Sequence, residues 1–319
     1  MSIQTFHSTL ATKMDDFVNY KRIQGYEYSQ QAKALHYFDL FVCKKGYTQT
    51  RLTQKIIDDY IADSKRLMPS SQYRYLAMLR IFSAYLHLFD PESCVLHEVN
   101  VKLPSLSRYY IYSNDEITDL LRYAKKLKPD ASIRPHCFYV LIGLLSVTGL
   151  RIAEALTLNL GHVDTDKGCL LVRKGKFAKD RYVAIEKSTR QILQHYLQKR
   201  KTYEPSGENA PFFITPLGER LNYNRVNCTF RSMLAKCQIG RDAPNSPRLH
   251  DLRHTFACNC LLKWYNEGVD VNARLPYLAS AMGHVNIDAT QIYLHVSSTL
   301  IRQAAQRFQN TFKTNYKGQ

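Results

Sequence analysis

The sequence predicts a mainly α-helical protein with a small β-hairpin, divided into a helical N-terminal domain and a mixed α+β domain. Three observations carry that expectation. Apolar residues recur at helical spacing through the first hundred residues. A stretch with a proline, two serines and no helical period interrupts the pattern at residues 101–112. Residues 168–185 hold two short β-type runs around a Lys/Gly-rich middle, the signature of a hairpin.

In the N-terminal part, amphipathic segments around Gln30–Cys43 and Leu52–Leu67 predict helices, punctuated by Gly25 and Gly46. A longer helix is expected after Pro69, with Ser70 or Ser71 as its cap. It carries Leu76, Leu79, Phe82, Leu86 and Phe89 at helical spacing. Four or five helices therefore fill residues 1–100. A new helix start follows the linker, because Ser113 and Glu116 form an S-x-x-E capping box. Residues 113–319 are then the second domain. The apolar run Cys137–Leu150 is shorter than the ~20 residues needed to cross a bilayer and reads as a buried helix. Leu171, Val183 and Ile185 mark the hairpin strands, and residues 210–222 offer a short strand and turn. A tail at 294–319 shows helical spacing in Leu300, Ala304 and Phe308.

Charge narrows the partners. The chain carries a formal net charge of +17, and a field of that size attracts a polyanion, most commonly nucleic acid. Residues 1–100 hold 12 Lys+Arg against 10 Asp+Glu, which leaves 32 against 17 for residues 101–319. The basic excess is thus concentrated in the second domain, as a binding footprint would be. The eight cysteines form no C-x-x-C pair and suit reduced, buried thiols. His254 and Cys258 lie one helical turn apart, but no further well-spaced ligands accompany them, so no metal site is expected. The N-terminus has no signal-type apolar run, which places the protein in the cytoplasm or on the nucleoid, with no membrane partner.

Four stretches could carry chemistry. In "TGLRIAEALTLN", Arg151 follows the buried helix and needs an anion or a carboxylate; Glu154, three residues on, can supply the latter. In "RKGKFAKDR", Arg173, Lys174, Lys176, Lys179 and Arg181 make a basic turn that could lie along DNA, or simply a solvated one. In "RLHDLRHTFACNCLL", His250 and Arg253 share the exposed face of a helix start, which already favours anions. Phe256, Ala257, Leu261 and Leu262 take the other face, and His254 points elsewhere. In "MGHVNIDATQIYLHV", His284 follows Gly283, and Tyr293 lies nine residues later. Ile287, Thr290 and Tyr293 recur every three residues, so by its spacing Tyr293, one of 22 tyrosines, suits core packing.

Taken in order, "TGLR", "GK", "HDLRH", "MGH" and Tyr293 resemble the tyrosine recombinases, the phage integrase and Xer-like site-specific recombinases. The resemblance covers residues 113–300 closely and the N-terminal helices more loosely, as that family's core-binding domain. It implies that Arg151 and Arg253 clamp a phosphate, that Lys176 is the hairpin lysine, and that His250 and His284 are the two site histidines. It further implies that Tyr293 is the nucleophile, that Glu154 buttresses Arg151 and that His254 supports the site. Lys174 and Lys179 are the alternatives to Lys176, because the glycine that usually follows the lysine is missing. The segment from Arg253 to His284 is longer than in Xer-like members and looks like an insertion.

The implied reaction is DNA strand exchange by transesterification. The tyrosine attacks a phosphodiester, forms a 3′-phosphotyrosine and frees a 5′-hydroxyl, and a second strand reverses the step. Two guanidinium forks and two imidazoles can neutralise the growing phosphoryl charge, so the resemblance implies no cofactor and no metal. Double-stranded DNA with a specific site is the expected partner, with a dimer per site and a tetramer in the synapse. The tail would dock on a neighbouring protomer or close its own domain. A type IB-like topoisomerase and a non-cutting DNA-binding accessory protein are the rival readings.

Overall fold

The computed structural model describes residues 5–103, 109–173, 180–243 and 245–284, together with Thr290 and Tyr293. The chain separates into two compact units, Met1–Ser107 and Arg108–Gln319.

The first unit holds four helices among its described residues: α1 (Ala11–Ile23), α2 (Ser29–Lys45), α3 (Gln54–Ser64) and α4 (Pro69–Phe89). Each buries one apolar stripe, and Phe17, Leu35, Phe38, Ile56, Leu79 and Phe82 meet in a common core. Gly46 takes the left-handed conformation that ends α2. The Thr53 hydroxyl accepts from the Ile56 N–H and so starts α3. Asp39 is fully buried on α2, where its carboxylate accepts from the backbone N–H groups of His7 and Ser8. The expected start of the long helix shifts back by two or three residues, with Met68 rather than Ser70 or Ser71 at the cap. Pro69 is itself the first helical residue, since its missing N–H would be unpaired there anyway. Phe89 also departs from the expected stripe; at the last turn of α4 it is 73% exposed.

The second unit is built around α6 (Arg134–Thr148), whose apolar residues are buried nearly all round. Before it comes α5 (Asn114–Ala124), started by the expected Ser113–Glu116 capping box. After it come α7 (Ile152–Thr157), a single 3₁₀ turn (Leu160–His162) and a three-stranded antiparallel sheet. The strands β1 (Val163–Asp164), β2 (Cys169–Val172) and β3 (Arg181–Ala184) lie in the order β1-β2-β3, with Leu170 opposite Val183 and Val172 opposite Arg181. Leu170, Val172 and Val183 face inward. The predicted hairpin is therefore present, but Arg181 belongs to its second strand rather than to the turn. The strand expected at 210–222 reduces to isolated bridges, Asn159 with Pro211 and Ile214 with Arg220.

Among the described residues four more helices follow: α8 (Lys187–Arg200), α9 (Tyr223–Lys236), α10 (Asp251–Asn266) and α11 (Val271–Met282). Helices α5, α8 and α10 pack on α6. The segment from Arg253 to His284, which looked like an insertion, forms nearly all of α10, a turn at Gly268 and the whole of α11. The Asp270 carboxylate caps α11 by accepting from the N–H groups of Asn272 and Ala273. No helix among the described residues is long and apolar enough to cross a membrane.

Candidate active site

The site forms where the end of α6, the start of α10, strand β3 and the end of α11 converge. Gly149 ends α6 with φ +62°. A Cβ there would lie 2.3 Å from the Phe256 ring, so both the backbone angle and the packing demand glycine. This sharp exit places Arg151 at the cap of α7. Glu154 then reaches back. Its carboxylate accepts from the Arg151 N–H at 2.9 Å and from the Arg151 guanidinium at 2.9 Å. It also accepts a two-pronged fork from Arg181, at 3.0 and 2.8 Å. Burial pushes this carboxyl up, but the hydrogen bonds and charges of Arg181 and Arg151 outweigh it and hold Glu154 at about 2.

The C-terminal end of α11 supplies the second half. Gly283 is left-handed at φ +68°, and its N–H and that of His284 close back on the carbonyls of Ser280 and Ala279. The next carbonyls have no helical partner. Three arginines take them. Arg181 Nε donates to Ala281 at 3.0 Å, Arg253 donates to Met282 at 2.7 Å, and Arg151 donates to Gly283 at 2.9 Å. The negative end of a helix dipole suits such an arrangement. Arg253 also donates to the Gly149 carbonyl at 2.6 Å, which ties the end of α6 to the end of α11.

Arg253 corrects one expectation. It does not lie on an exposed face of α10 but is 2% exposed. All of Asp251–Thr255 is buried, so the start of this helix has no solvent face. Burial, then the charge of Arg151, lowers the Arg253 pKa to about 10, which leaves it a cation at neutral pH. His250, one residue before α10, is the exposed member of that motif. Its pKa is lowered, first by loss of water and then by Arg253.

Tyr293 is both a packed residue and a site residue. It is 3% exposed, in a cluster with Ala257, Cys258, Leu261 and Met282. Its hydroxyl lies 2.9 Å from His254 Nδ1. Burial raises the phenol to about 12, against the opposing pull of Arg253. His284 is held by a 2.7 Å hydrogen bond between its Nδ1 and the Thr290 hydroxyl, and its ring stacks 6.3 Å from that of Tyr293. Burial, then the cations Arg253, Arg151 and Arg181, lowers His284 to about 4, so it is neutral at pH 7.

The structure thus brings together Arg151, Glu154, Arg253, His254, His284 and Tyr293, with His250 at the rim, its ring 4.9 Å from that of His254. Arg173 is exposed. Lys174, Lys176, Lys179 and the tail fall outside the described residues. Among the described residues no group of three or more metal-ligating side chains occurs, around His254 and Cys258 or elsewhere. Sequence reasoning overlooked the role of Arg181 as the second partner of Glu154. The signal was available: Arg181 continues the inward period of Val183 and Ile185. It also overlooked Tyr109, whose ring lies 3.9 Å from that of His254, and nothing in the local pattern marks it.

Comparison with known proteins bears on this arrangement. Residues 111–299 match the phage integrase family. A putative integrase/recombinase, y4rB of Sinorhizobium fredii, is 30% identical over 96% of this chain and 99% of its own length. Tyrosine recombinase XerC of Lactobacillus delbrueckii subsp. bulgaricus is 26% identical over 90% of this chain and 95% of its own. Among solved structures, the Tn1549 transposon integrase in complex with transposon right end DNA superposes with a TM-score of 0.67 at 15% identity, over 93% of this chain and 99% of that one. XerH recombinase bound to difH substrate in a pre-cleavage complex gives 0.61 at 20% identity, over 84% and 76%.

Proposed function

The chain belongs to the phage integrase family, and from that membership we propose that it is a site-specific DNA recombinase in which Tyr293 is the nucleophile. The enzyme cuts and rejoins DNA strands. The Tyr293 oxygen attacks phosphorus, the bond from phosphorus to the 5′-oxygen breaks, and a 3′-phosphotyrosine forms. The freed 5′-oxygen takes a proton, for which Lys176 is the proposed donor. Attack by the 5′-hydroxyl of another strand reverses the step with new partners. The energy of the broken bond is kept in the phosphotyrosine, so no nucleotide is consumed.

The observation that carries this reading is the convergence of Arg151, Arg253 and neutral His284 at the end of α11, beside the buried Tyr293. As the tyrosine attacks, charge grows on the two non-bridging phosphoryl oxygens. Arg151, with 23% of its side chain exposed, is the guanidinium a phosphate reaches directly. Arg253 adds its charge from beneath, and the imidazoles of His284 and His250 can donate hydrogen bonds. Glu154 and Arg181 fix Arg151 in place, which removes the reorganisation a mobile arginine would need.

The partner in this reading is double-stranded DNA carrying a specific site, bound as a dimer per site and a tetramer in the synapse. Residues 1–100 serve as the helical DNA-binding domain, 101–112 as the linker and 113–319 as the catalytic domain. The protein works in the cytoplasm, on the nucleoid. The basic excess beyond residue 100 and the likeness to the DNA-bound Tn1549 integrase support this assignment.

A nicked substrate that loses its short 5′-hydroxyl fragment traps the covalent intermediate. The wild-type protein is expected to accumulate a protein–DNA adduct, and Tyr293→Phe is expected to bind the same DNA without forming one. An adduct that persists in Tyr293→Phe removes Tyr293 from its role.

A further inference from the structure

We propose that Thr290 is a positioning residue: its hydroxyl sets which nitrogen of His284 carries the proton, so that the imidazole presents an N–H to the scissile phosphate. The proposal rests on the reading of Tyr293 as nucleophile and His284 as a phosphate contact, and adds what orients that contact. The Thr290 hydroxyl lies 2.7 Å from His284 Nδ1. The threonine is fully buried, so water does not compete for this bond. Three residues on is Tyr293, whose ring stacks 6.3 Å from that of His284. The nucleophile and the group that orients its neighbouring imidazole are thus a few residues apart on one stretch of chain.

A neutral imidazole has one N–H and one lone pair, and the partner at one nitrogen decides the role of the other. With Nδ1 on Thr290, Nε2 is the nitrogen left to meet a ligand. Burial and the surrounding cations Arg253, Arg151 and Arg181 keep His284 neutral at pH 7, so it has a single proton to place. The non-bridging oxygens of a phosphodiester only accept hydrogen bonds. The proton must therefore sit on Nε2, and Nδ1 must be an acceptor. A backbone carbonyl at Nδ1 would do the opposite: it would hold the proton on Nδ1 and turn a lone pair toward the phosphate. A carboxylate there would favour the doubly protonated cation. A hydroxyl differs from both because it can donate. The Thr290 O–H donating to Nδ1 makes His284 a neutral donor at Nε2, with no change in the charge of the site.

The test has two parts. The first reads the tautomer directly, from the ring-nitrogen chemical shifts of isotope-labelled histidine in the complex of Tyr293→Phe with uncut DNA. The His284 signal is assigned by its loss in His284→Phe. A single N–H at Nε2 is expected, and an N–H at Nδ1 or at both nitrogens overturns the proposal. The second part is a double-mutant cycle on adduct formation with the nicked substrate. Thr290→Val keeps the shape but loses the donor. Its rate is expected to fall about tenfold, the worth of one hydrogen bond, while affinity for uncut DNA holds. Thr290→Ser restores the hydroxyl and is expected to recover most of that rate. In a His284→Phe background the same valine change should cost less than about twofold, because there is no imidazole left to orient. An equal loss in both backgrounds is what packing alone would give, and it overturns the proposal. So does a Thr290→Val protein that keeps the wild-type rate. If the valine variant fails to fold, the tautomer measurement decides alone. Tyr293→Phe separates the two levels: an adduct there defeats the nucleophile reading, whereas its absence beside an N–H at Nδ1 defeats only the role of Thr290.

Discussion

Replacing Glu154 by glutamine should cost the second unit about 3 kcal/mol and should change how it responds to acid. The carboxylate is 7% exposed and accepts from both Arg151 and Arg181. Its pKa falls from the ordinary 4.5 to about 2. At about 1.4 kcal/mol per pKa unit, that drop corresponds to roughly 3 kcal/mol favouring the ionised form. The figure agrees with the ~3–5 kcal/mol typical when one partner of a buried ion pair is removed and the other is left behind. Glutamine keeps the shape but leaves two guanidinium groups facing a neutral amide.

The sign of the pH dependence follows from the direction of the shift. A carboxyl whose pKa is depressed in the folded state contributes fully above its unfolded value and loses that contribution as pH falls through the folded one. The difference between wild type and Glu154→Gln should therefore be largest at pH 7 and shrink from about pH 4.5 down to about pH 2. Urea unfolding of both proteins at pH 7, 5, 4 and 3 measures it directly. The difference between the two proteins cancels the other acidic groups. Thermal midpoints should separate by roughly 6–12 °C at pH 7 for a unit of this size. A difference below about 1 kcal/mol at pH 7 would refute the reasoning, as would one that stays constant down to pH 3.

Other substitutions probe the remaining parts of the site. Gly149→Ala must hold a left-handed alanine with its Cβ against the Phe256 ring, so a loss of roughly 2–3 kcal/mol is expected in urea unfolding, and unchanged stability would show that the exit from α6 can relax. Arg181→Lys keeps the charge but loses the fork on Glu154 and the bond to Ala281; adduct formation should slow at least tenfold while DNA affinity changes little, and a matched loss of affinity would place Arg181 on DNA instead. Lys176→Ala should slow cleavage of an ordinary substrate about 100-fold but spare a substrate with a 5′-bridging sulfur, and equal loss on both would remove Lys176 as the acid.

Much of this site was legible in the sequence because its signals are local. Arg151 and Glu154 are three residues apart on one helix, Ser113 and Glu116 form a local capping box, and the two hairpin strands flank one turn. What could not be read depends on contacts between distant segments. The period of β3 turns Arg181 inward, but its meeting with Glu154 spans 27 residues, and that of His254 with Tyr293 spans 39. The burial of Arg253 was hidden for a related reason. Periodicity assigns one face of a helix to solvent, but α10 begins inside the unit with α6 on one side and α11 on another. Its first turn has no outside, and the arginine is kept there by carbonyls that no pattern in α10 itself announces.

Those carbonyls explain why the motif elements act as a set. Arg151 and Gly283 lie 132 residues apart, and Arg253 reaches both Gly149 and Met282. Arginines proposed to hold the phosphate are thus bound to the ends of the same two helices that present Arg151 and His284. A left-handed glycine ends each helix, Gly149 for α6 and Gly283 for α11, and each turns carbonyls toward the guanidinium groups. At Gly283 a side chain would lie 2.8 Å from the Arg181 guanidinium carbon, so the approach that seats Arg181 depends on the missing Cβ. The glycines of "TGLR" and "MGH" therefore belong to the chemistry as much as the charged residues beside them. They set the spacing between the proposed phosphate clamp and the proposed nucleophile, and a displacement of about 1 Å there is enough to cost about 100-fold in rate.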